Sequence, residues 1–365
     1  MDRDRLAVFI CPGRCPTPPV MKNIEVAREE GLDVLFLGAL RSSDQSREDV
    51  WNGVPIRRLG ILYLRSSVFY LIGTPIFGVS VFFWLLRNRP QIVHASHVEA
   101  MMGVALYRLL GGKTHVLFNI HDNFALRFNV PRSVKKVLAR YESFIGSFAH
   151  VVLVPDETRL RLLSPWSPKR PMIIPNTPPD PGYQPKECDG TLRIFAPGWL
   201  HWQRGYQTLG SLVRERDDVE LTICGGGGTR DIVKYLQSLP HTQFYGYVSQ
   251  EKALQIGSSC DVVFAYYDPK VEINRYASSN KVFDALALGR PVIVNERIQV
   301  AAWVREKGVG FCLPYDDVAA LSSLVDRLLS RPRLLEEMGR RARSLYEAEY
   351  RWEIFKPRIR RAFGM

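Results

Sequence analysis

The sequence predicts an α/β protein built of two Rossmann-like domains, each a doubly wound parallel sheet, facing one another across a cleft. Three observations carry this. At 365 residues the chain is long for one domain and natural for two. Short apolar strand patterns alternate with amphipathic helical ones, as they do in βαβ units and parallel sheets. The alternation is broken once, by NTPPDPGYQPKECDG, which is rich in Pro and Gly and poor in apolar residues, as an interdomain linker is. The expected divisions are residues 1–178, residues 188–345, and a C-terminal helical segment at 346–365.

Composition sets the class. Hydrophobic residues at 46% and charged residues at 24% describe a soluble globular protein able to bury a full core. The six cysteines are scattered. Only Cys11 and Cys15 are close, without the repeated spacing of a zinc site, so reduced cytosolic thiols are expected. The chain passes from charged residues directly into a strand and opens on no long apolar signal segment. Net charge is +12; the first 186 residues hold 24 Lys and Arg against 15 Asp and Glu, a net +9, and the rest holds +3. A basic first half fits an anionic partner, such as a lipid surface or a diphosphate, or simply scattered surface Arg. The basic residues form no recognisable nucleic-acid module, so no nucleic acid is expected as a partner.

The elements follow in order. Residues 6–10 read as a buried strand, CPGRCPTPP as the loop after it, 22–30 as a helix and 32–37 as the next strand. Ligands of parallel sheets sit at the carboxyl ends of strands, which makes the loop around Gly13 a candidate site. Residues 68–86 form an uncharged run of 19, long enough to span a membrane. Gly73, Pro75 and Gly78 interrupt it, and a crossing would part the first strands from 91–95, a strand of their own sheet. Two readings remain, a buried core helix and a helix lying in the membrane interface. Arg57, Arg58 and Arg65 before the run and Arg87 and Arg89 after it favour peripheral membrane contact through 68–86. The strand at 114–120 ends in His121-Asp122-Asn123, which is either a turn or a site. A helix at 132–149 and strands at 151–154 and 172–175 complete the first half.

In the second half, strands are expected at 192–196, 219–224, 243–245 and 261–265, with helices at 229–238, 250–258 and 317–330. Gly225–Gly228 does not satisfy the dinucleotide fingerprint, because Arg230 and Asp231 stand where a third Gly is needed; it reads as a flexible strand-to-helix turn. Residues 345–363 read as a basic, aromatic, amphipathic helix.

The most informative stretch is 277–295, ASSNKVFDALALGRPVIVN. Ser279 and Asn280 are good N-cap residues, and Gly289 with Pro291 is good termination chemistry. Val292, Ile293 and Val294 make a short buried strand. The first turn of such a helix aims backbone N–H groups outward and binds phosphate well. Lys281 adds a positive charge beside it, and Asp284, one turn in, can accept hydrogen bonds from a diol. Any α/β protein can contain a loop–helix–strand of this kind; the order SNKxFDALAxGRPVIV is more specific.

That order resembles the donor-binding signature of retaining nucleotide-sugar glycosyltransferases of family 4, which have the glycosyltransferase-B fold, and within them the bacterial surface-polysaccharide branch. PTPPVMKNIEVAREEGLDVLFLG also resembles the opening of such chains. The resemblance implies that Asp284 holds the ribose hydroxyls, with Ser279, Asn280 and Lys281 at the donor. In GWLHWQRG, similar to the family's Gly-Arg-Leu pattern, Gly198 and Arg204 belong to the diphosphate clamp; Trp199 stands where the family has a second Arg. Tyr247 is at the segment against which the family lays the nucleobase, and the His121 position faces the transferred sugar. Tyr276 takes the place of a Glu found near that sugar in many members. The last helix is implied to pack back on the first domain. The implied function is transfer of a sugar, with retention, from a UDP- or GDP-type nucleotide sugar to a lipid-linked or polysaccharide glycan, in the cytoplasm and at the inner face of the cell membrane. No cofactor and no metal are implied; the one Asp-x-Asp, Asp2-Arg3-Asp4, precedes every strand. The rival readings are a nucleotide-sugar epimerase of the same fold and a catalytically silent paralogue that binds a partner enzyme.

Overall fold

The computed structural model describes residues 5–40, 45–60, 67–186 and 188–365, with side chains throughout except at 67–72. Asp2-Arg3-Asp4, Arg65 and the first side chains of the apolar run therefore lie outside the described residues. The chain forms two compact units, Met1–Pro175 with Phe355–Met365, and Asn176–Ile354.

The first unit is an eight-stranded sheet. Its strands are β1 (Leu6–Ile10), β2 (Asp33–Ala39), β3 (Glu48–Trp51), β4 (Val54–Leu59), β5 (Ile92–Ser96), β6 (His115–Asn119), β7 (Val151–Val154) and β8 (Pro171–Ile173). They lie in the order β3-β4-β2-β1-β5-β6-β7-β8, all parallel except the β3–β4 hairpin. LAVFI of β1 is buried along its whole length, as a central strand covered on both faces must be. The sequence reading missed the hairpin, although its signal is present: Asn52-Gly53 between two short strands, both with positive φ (47° and 72°).

Helices α1 (Pro18–Glu29), α2 (Ser67–Asn88), α3 (His97–Leu109), α4 (Arg132–Gly146) and the short α5 (Glu157–Arg161) join the strands. The apolar run is one helix, α2, which carries Pro75 inside it. Phe77, Val81 and Leu85 enter the core beneath it. α2 and α3 approach so closely at Gly78 and Gly103 that a Cβ on Gly103 would stand 2.2 Å from the Gly78 carbonyl oxygen. No helix among the described residues is long and apolar enough to cross a membrane.

The second unit holds a six-stranded, wholly parallel sheet. Its strands are β9 (Leu192–Trp199), β10 (Val219–Gly226), β11 (Thr242–Gly246), β12 (Val262–Ala265), β13 (Val292–Asn295) and β14 (Gly310–Leu313), ordered β11-β10-β9-β12-β13-β14. Around them pack α6 (Tyr206–Glu215), α7 (Arg230–Gln237), α8 (Gln250–Gly257), α9 (Glu272–Arg275), α10 (Asn280–Leu288), α11 (Gln299–Lys307), α12 (Val318–Ser330) and α13 (Arg333–Leu345). α10 stops at Gly289, left-handed at φ 63°, as the sequence indicates.

Two expectations change. The segment read as one helix at 345–363 is broken: α13 runs into a single π turn at Tyr346–Tyr350, Arg351 is extended (φ −58°, ψ 135°), and α14 (Trp352–Phe363) begins after it. The part of α14 from Phe355 belongs to the first unit. There Phe363 meets Phe9 edge-on at 6.2 Å, Lys356 pairs with Glu29 at 2.6 Å, and the Ala362 carbonyl lies 2.8 Å from the His115 ring. The Pro- and Gly-rich segment is likewise not a free tether. Buried Arg343 forks onto Asp180 at 2.8 Å, and buried Arg290 donates to the Gln184 carbonyl at 2.9 Å, so the segment is laced to the second unit.

Candidate functional site

In the second unit the strands end where two loops and one helix converge. β9 and β10 each run further than the apolar pattern suggests, to Trp199 and Gly226, because glycines let their ends lie flat against each other. A Cβ on Gly225 would fall 1.9 Å from the Gly198 carbonyl oxygen, and Gly198 itself has φ 111°. Gly225–Gly228 is therefore more than a flexible turn. Its glycines make room for two aromatic rings: Tyr247 lies over Gly226, and Trp199 lies against Gly227 and donates its indole N–H to the Gly227 carbonyl at 3.3 Å. Tyr247 is 67% exposed, so its ring offers a face to solvent.

The cations gather around Tyr267, at the carboxyl end of β12. The Arg204 guanidinium lies 4.2 Å from the centre of that ring and 5.4 Å from the Trp199 ring, and it donates to buried Asn274 at 3.0 Å. Lys281, 6% exposed, brings Nζ to 5.7 Å from the same ring, and its Cε is the nearest atom to a Cβ built on Gly198. Burial, with Arg204 adding to it and Asp284 opposing, pushes the Lys281 ammonium down to about 7.

The first turn of α10 is arranged for an outside acceptor. Ser279 is the N-cap residue, yet its hydroxyl does not cap the helix; it accepts from the Tyr267 hydroxyl at 2.9 Å. Tyr267 is itself pinned, its backbone N–H donating to Asn295 at 2.7 Å. Asn280 and Lys281 open the helix, and Asp284, buried one turn on, accepts from Gln250 at 3.1 Å. The structure thus brings Gly198, Arg204, Ser279, Asn280, Lys281 and Asp284 together within one unit, with Tyr247 beside the glycine turn. A phosphate-sized anion between Arg204, Lys281 and the helix terminus would meet two cations and a positive dipole end.

Gly13 and His121 belong to the first unit, at the carboxyl ends of β1 and β6. The Gly13 carbonyl accepts the Ala39 N–H at 3.3 Å and tightens the loop onto β2. His121-Asp122-Asn123 is held from below: Arg159 donates to the His121 carbonyl at 3.2 Å and pairs with Asp122 at 2.6 Å. The His121 ring stands 5.0 Å from the His97 ring, and its buried Nε2 has no hydrogen-bond partner. Burial, with His97, His94 and Arg159 adding to it, holds His121 well below the usual histidine range, so the ring is neutral at pH 7. His97 sits at φ 68°, a strained conformation for a residue with a side chain.

The sequence reading missed Tyr267, Asn274 and Gln250. Tyr267 had a legible signal, an aromatic at the carboxyl end of a parallel strand. Asn274 and Gln250 reach the site only through the packing of α9 and α8.

Known proteins bear on this geometry. Residues 20–177 match the family model described as glycosyl transferase 4-like domain, and residues 202–331 match that described as glycosyl transferases group 1. Together the two models take in most of the chain. It is a glycosyltransferase of the GT-B type. No curated protein sequence matches it. Among solved structures, this glycosyltransferase is similar to sucrose-phosphate synthase from Thermosynechococcus elongatus (TM-score 0.78, 16% identity, 99% of this chain and 98% of that one). It is also similar to HepE of Anabaena, solved in complex with UDP-glucose (TM-score 0.71, 12% identity, 98% and 99%), and to a glycosyltransferase from Rickettsia africae (TM-score 0.67, 14% identity, 99% and 98%). At these identities the likeness is one of fold.

Proposed function

We propose that this glycosyltransferase moves a sugar, with retention and without a metal, from a UDP- or GDP-type nucleotide sugar to a lipid-linked or polysaccharide glycan. One observation carries the donor: two cations, a helix N-terminus and a buried carboxylate lie in one line of chemistry, from Arg204 and Lys281 through Ser279 and Asn280 to Asp284. Leaving-group departure places negative charge on the diphosphate while the sugar gains oxocarbenium character, so preorganised positive groups at the diphosphate supply the largest share of catalysis. In this reading Arg204, Lys281 and the α10 amides hold the diphosphate, Asp284 takes the ribose diol, and the exposed face of Tyr247 takes the base. Trp199, where the family has Arg, leaves the clamp with one fixed cation fewer. Neutral His121 acts at the sugar, following the resemblance. The surface-polysaccharide resemblance supports a cytoplasmic reaction at the inner face of the cell membrane.

The test is a panel of nucleoside diphosphates and sugar nucleotides scored by thermal shift, followed by transfer of labelled sugar. One nucleotide class should raise the melting temperature, and Asp284→Ala should abolish the shift while Asp284→Glu keeps part of it. Unchanged affinity of Asp284→Ala for the diphosphate would sink the ribose assignment. Trp199 and Tyr276 favour a second reading, a silent paralogue; it predicts nucleotide binding at most, and no transfer to any glycan acceptor.

A further inference from the structure

Helices α2, α3 and α4 cover one face of the first unit's sheet and send Phe77, Val81, Val98, Met101, Val104 and Ile145 into a single core. Their outer sides are apolar as well. α2 exposes Val79, Phe83 and Leu86; α3 and the residue that caps it expose Leu106, Leu109 and Leu110; α4 exposes Val134, Val137 and Phe144. Phe83 and Leu109 are each 62% exposed, and Phe144 is 61%. Single exposed apolar residues need no explanation, but nine on three adjoining helices form a patch of the kind that marks an interaction surface.

Charge narrows the partner. The three helices contain only two carboxylates, Glu99 and Glu142, and both are buried. Glu99 pairs with Arg127 at 2.9 Å, and Glu142 takes the Phe124 N–H with its two oxygens at 3.2 and 3.1 Å. Outward, the same helices and their ends expose Arg87, Arg89, Lys113, Arg132, Lys136 and Arg140. Near one end of the patch, Leu86, Arg89, Leu110 and Lys113 are among the residues that line a hollow of about 530 Å³. A second copy of this face would meet it with like charge, and the cores of protein interfaces are depleted in Lys. An anionic bilayer supplies both complements, acyl chains for the apolar side chains and phosphates for the cations.

We propose that the outer face of α2, α3 and α4 docks this protein on an anionic membrane surface. The proposal gives the membrane partner of the reading above a definite surface and rests on that reading only for its biological setting. It also narrows the contact expected at 68–86: among the described side chains of that run, Phe77, Val81, Trp84 and Leu85 face the core, and Val79, Phe83 and Leu86 join the docking face.

The test is co-sedimentation of the full chain with vesicles of phosphatidylcholine alone and with a rising share of phosphatidylglycerol. Pelleting should rise with the anionic share and fall with added salt. Phe83→Ser, Leu109→Ser and Phe144→Ser together should cut partitioning roughly tenfold or more, and Arg132→Glu, Lys136→Glu and Arg140→Glu together should erase the preference for phosphatidylglycerol. All six positions are exposed, and an unchanged melting temperature verifies that each variant is folded. Equal pelleting with both vesicles, no pelleting, or pelleting that neither set alters would overturn the proposal. So would vesicle-free dimerisation lost in the serine variant, which would assign the face to a second copy. Nucleotide binding is read separately, so loss of lipid binding leaves the donor reading standing, and loss of nucleotide binding leaves this one.

Discussion

Tyr267 donates its phenolic proton to Ser279 Oγ across 2.9 Å while the Arg204 guanidinium rests 4.2 Å from the centre of its ring. One side chain thereby links the Arg204 guanidinium to the N-cap residue of α10. The Ser279 side chain makes no cap bond to its own helix, and of the first-turn amides the Val282 N–H donates to the Ser279 carbonyl at 3.1 Å.

Tyr267 is expected to act by positioning. Tyr267→Phe keeps the ring face and loses the bond to Ser279, and should weaken nucleoside diphosphate binding by about 1 kcal/mol. Tyr267→Leu also removes the support under Arg204, adding about another 1 kcal/mol. Calorimetry with the diphosphate and the bare nucleoside distinguishes the roles: both variants should lose affinity for the first and keep it for the second. Equal losses for the two ligands would make Tyr267 a purely structural residue.

Lys281 sets a pH dependence. It is held near 7 in the folded protein against an ordinary 10.5. Between these values the unfolded chain carries more protons than the folded one, so the group's contribution to stability rises with pH across that window and is least favourable below it. In the proposed role, diphosphate binding needs the charged form of Lys281. Affinity for a sugar nucleotide, whose diphosphate diester does not titrate there, should fall as pH rises above 7, by up to roughly tenfold per unit. Lys281→Met should bind more weakly at pH 6 and lose the slope. Unchanged diphosphate affinity of Lys281→Met at pH 6 would exclude Lys281 as a phosphate contact, and a wild-type affinity flat from pH 6 to 9 would show that Lys281 does not titrate in that window.

His121 is neutral at pH 7, so in the proposed role it can donate or accept a hydrogen bond at the sugar without a change of charge. His121→Ala should cut turnover roughly a hundredfold and leave the nucleotide affinity intact. Near-normal turnover would return His121-Asp122-Asn123 to the role of a strand-end turn pinned by Arg159.

Gly225 tests whether the glycine run is rigid. Its Cβ position is occupied by the Gly198 carbonyl at 1.9 Å, so Gly225→Ala must part β9 from β10. A cost of about 1–3 kcal/mol in unfolding free energy is expected, with weaker nucleotide binding as Gly198 moves. Gly182→Ala is no control for this, because Gly182 is left-handed at φ 80°. Full stability of Gly225→Ala would restore the flexible-turn reading.

Sequence by itself determined the alternation of strands and helices, the two-sheet fold and the loop–helix–strand at 277–295. Those features rest on local rules: burial period, capping residues and helix-stopping glycine act over a few neighbours and can be read in order along the chain. Even the overlooked β3–β4 hairpin carried its Asn-Gly turn in plain view. Tertiary structure alone decided which residues share the site. Tyr267, Asn274 and Gln250 come from three elements, and their meeting with Arg204, Ser279 and Asp284 depends on strand order and helix packing, for which spacing along the chain has no code. It also decided which edge of α2 faces outward. A run apolar on every face has no periodicity to orient it, and only the neighbours that bury Phe77, Val81 and Leu85 leave Val79, Phe83 and Leu86 to the solvent.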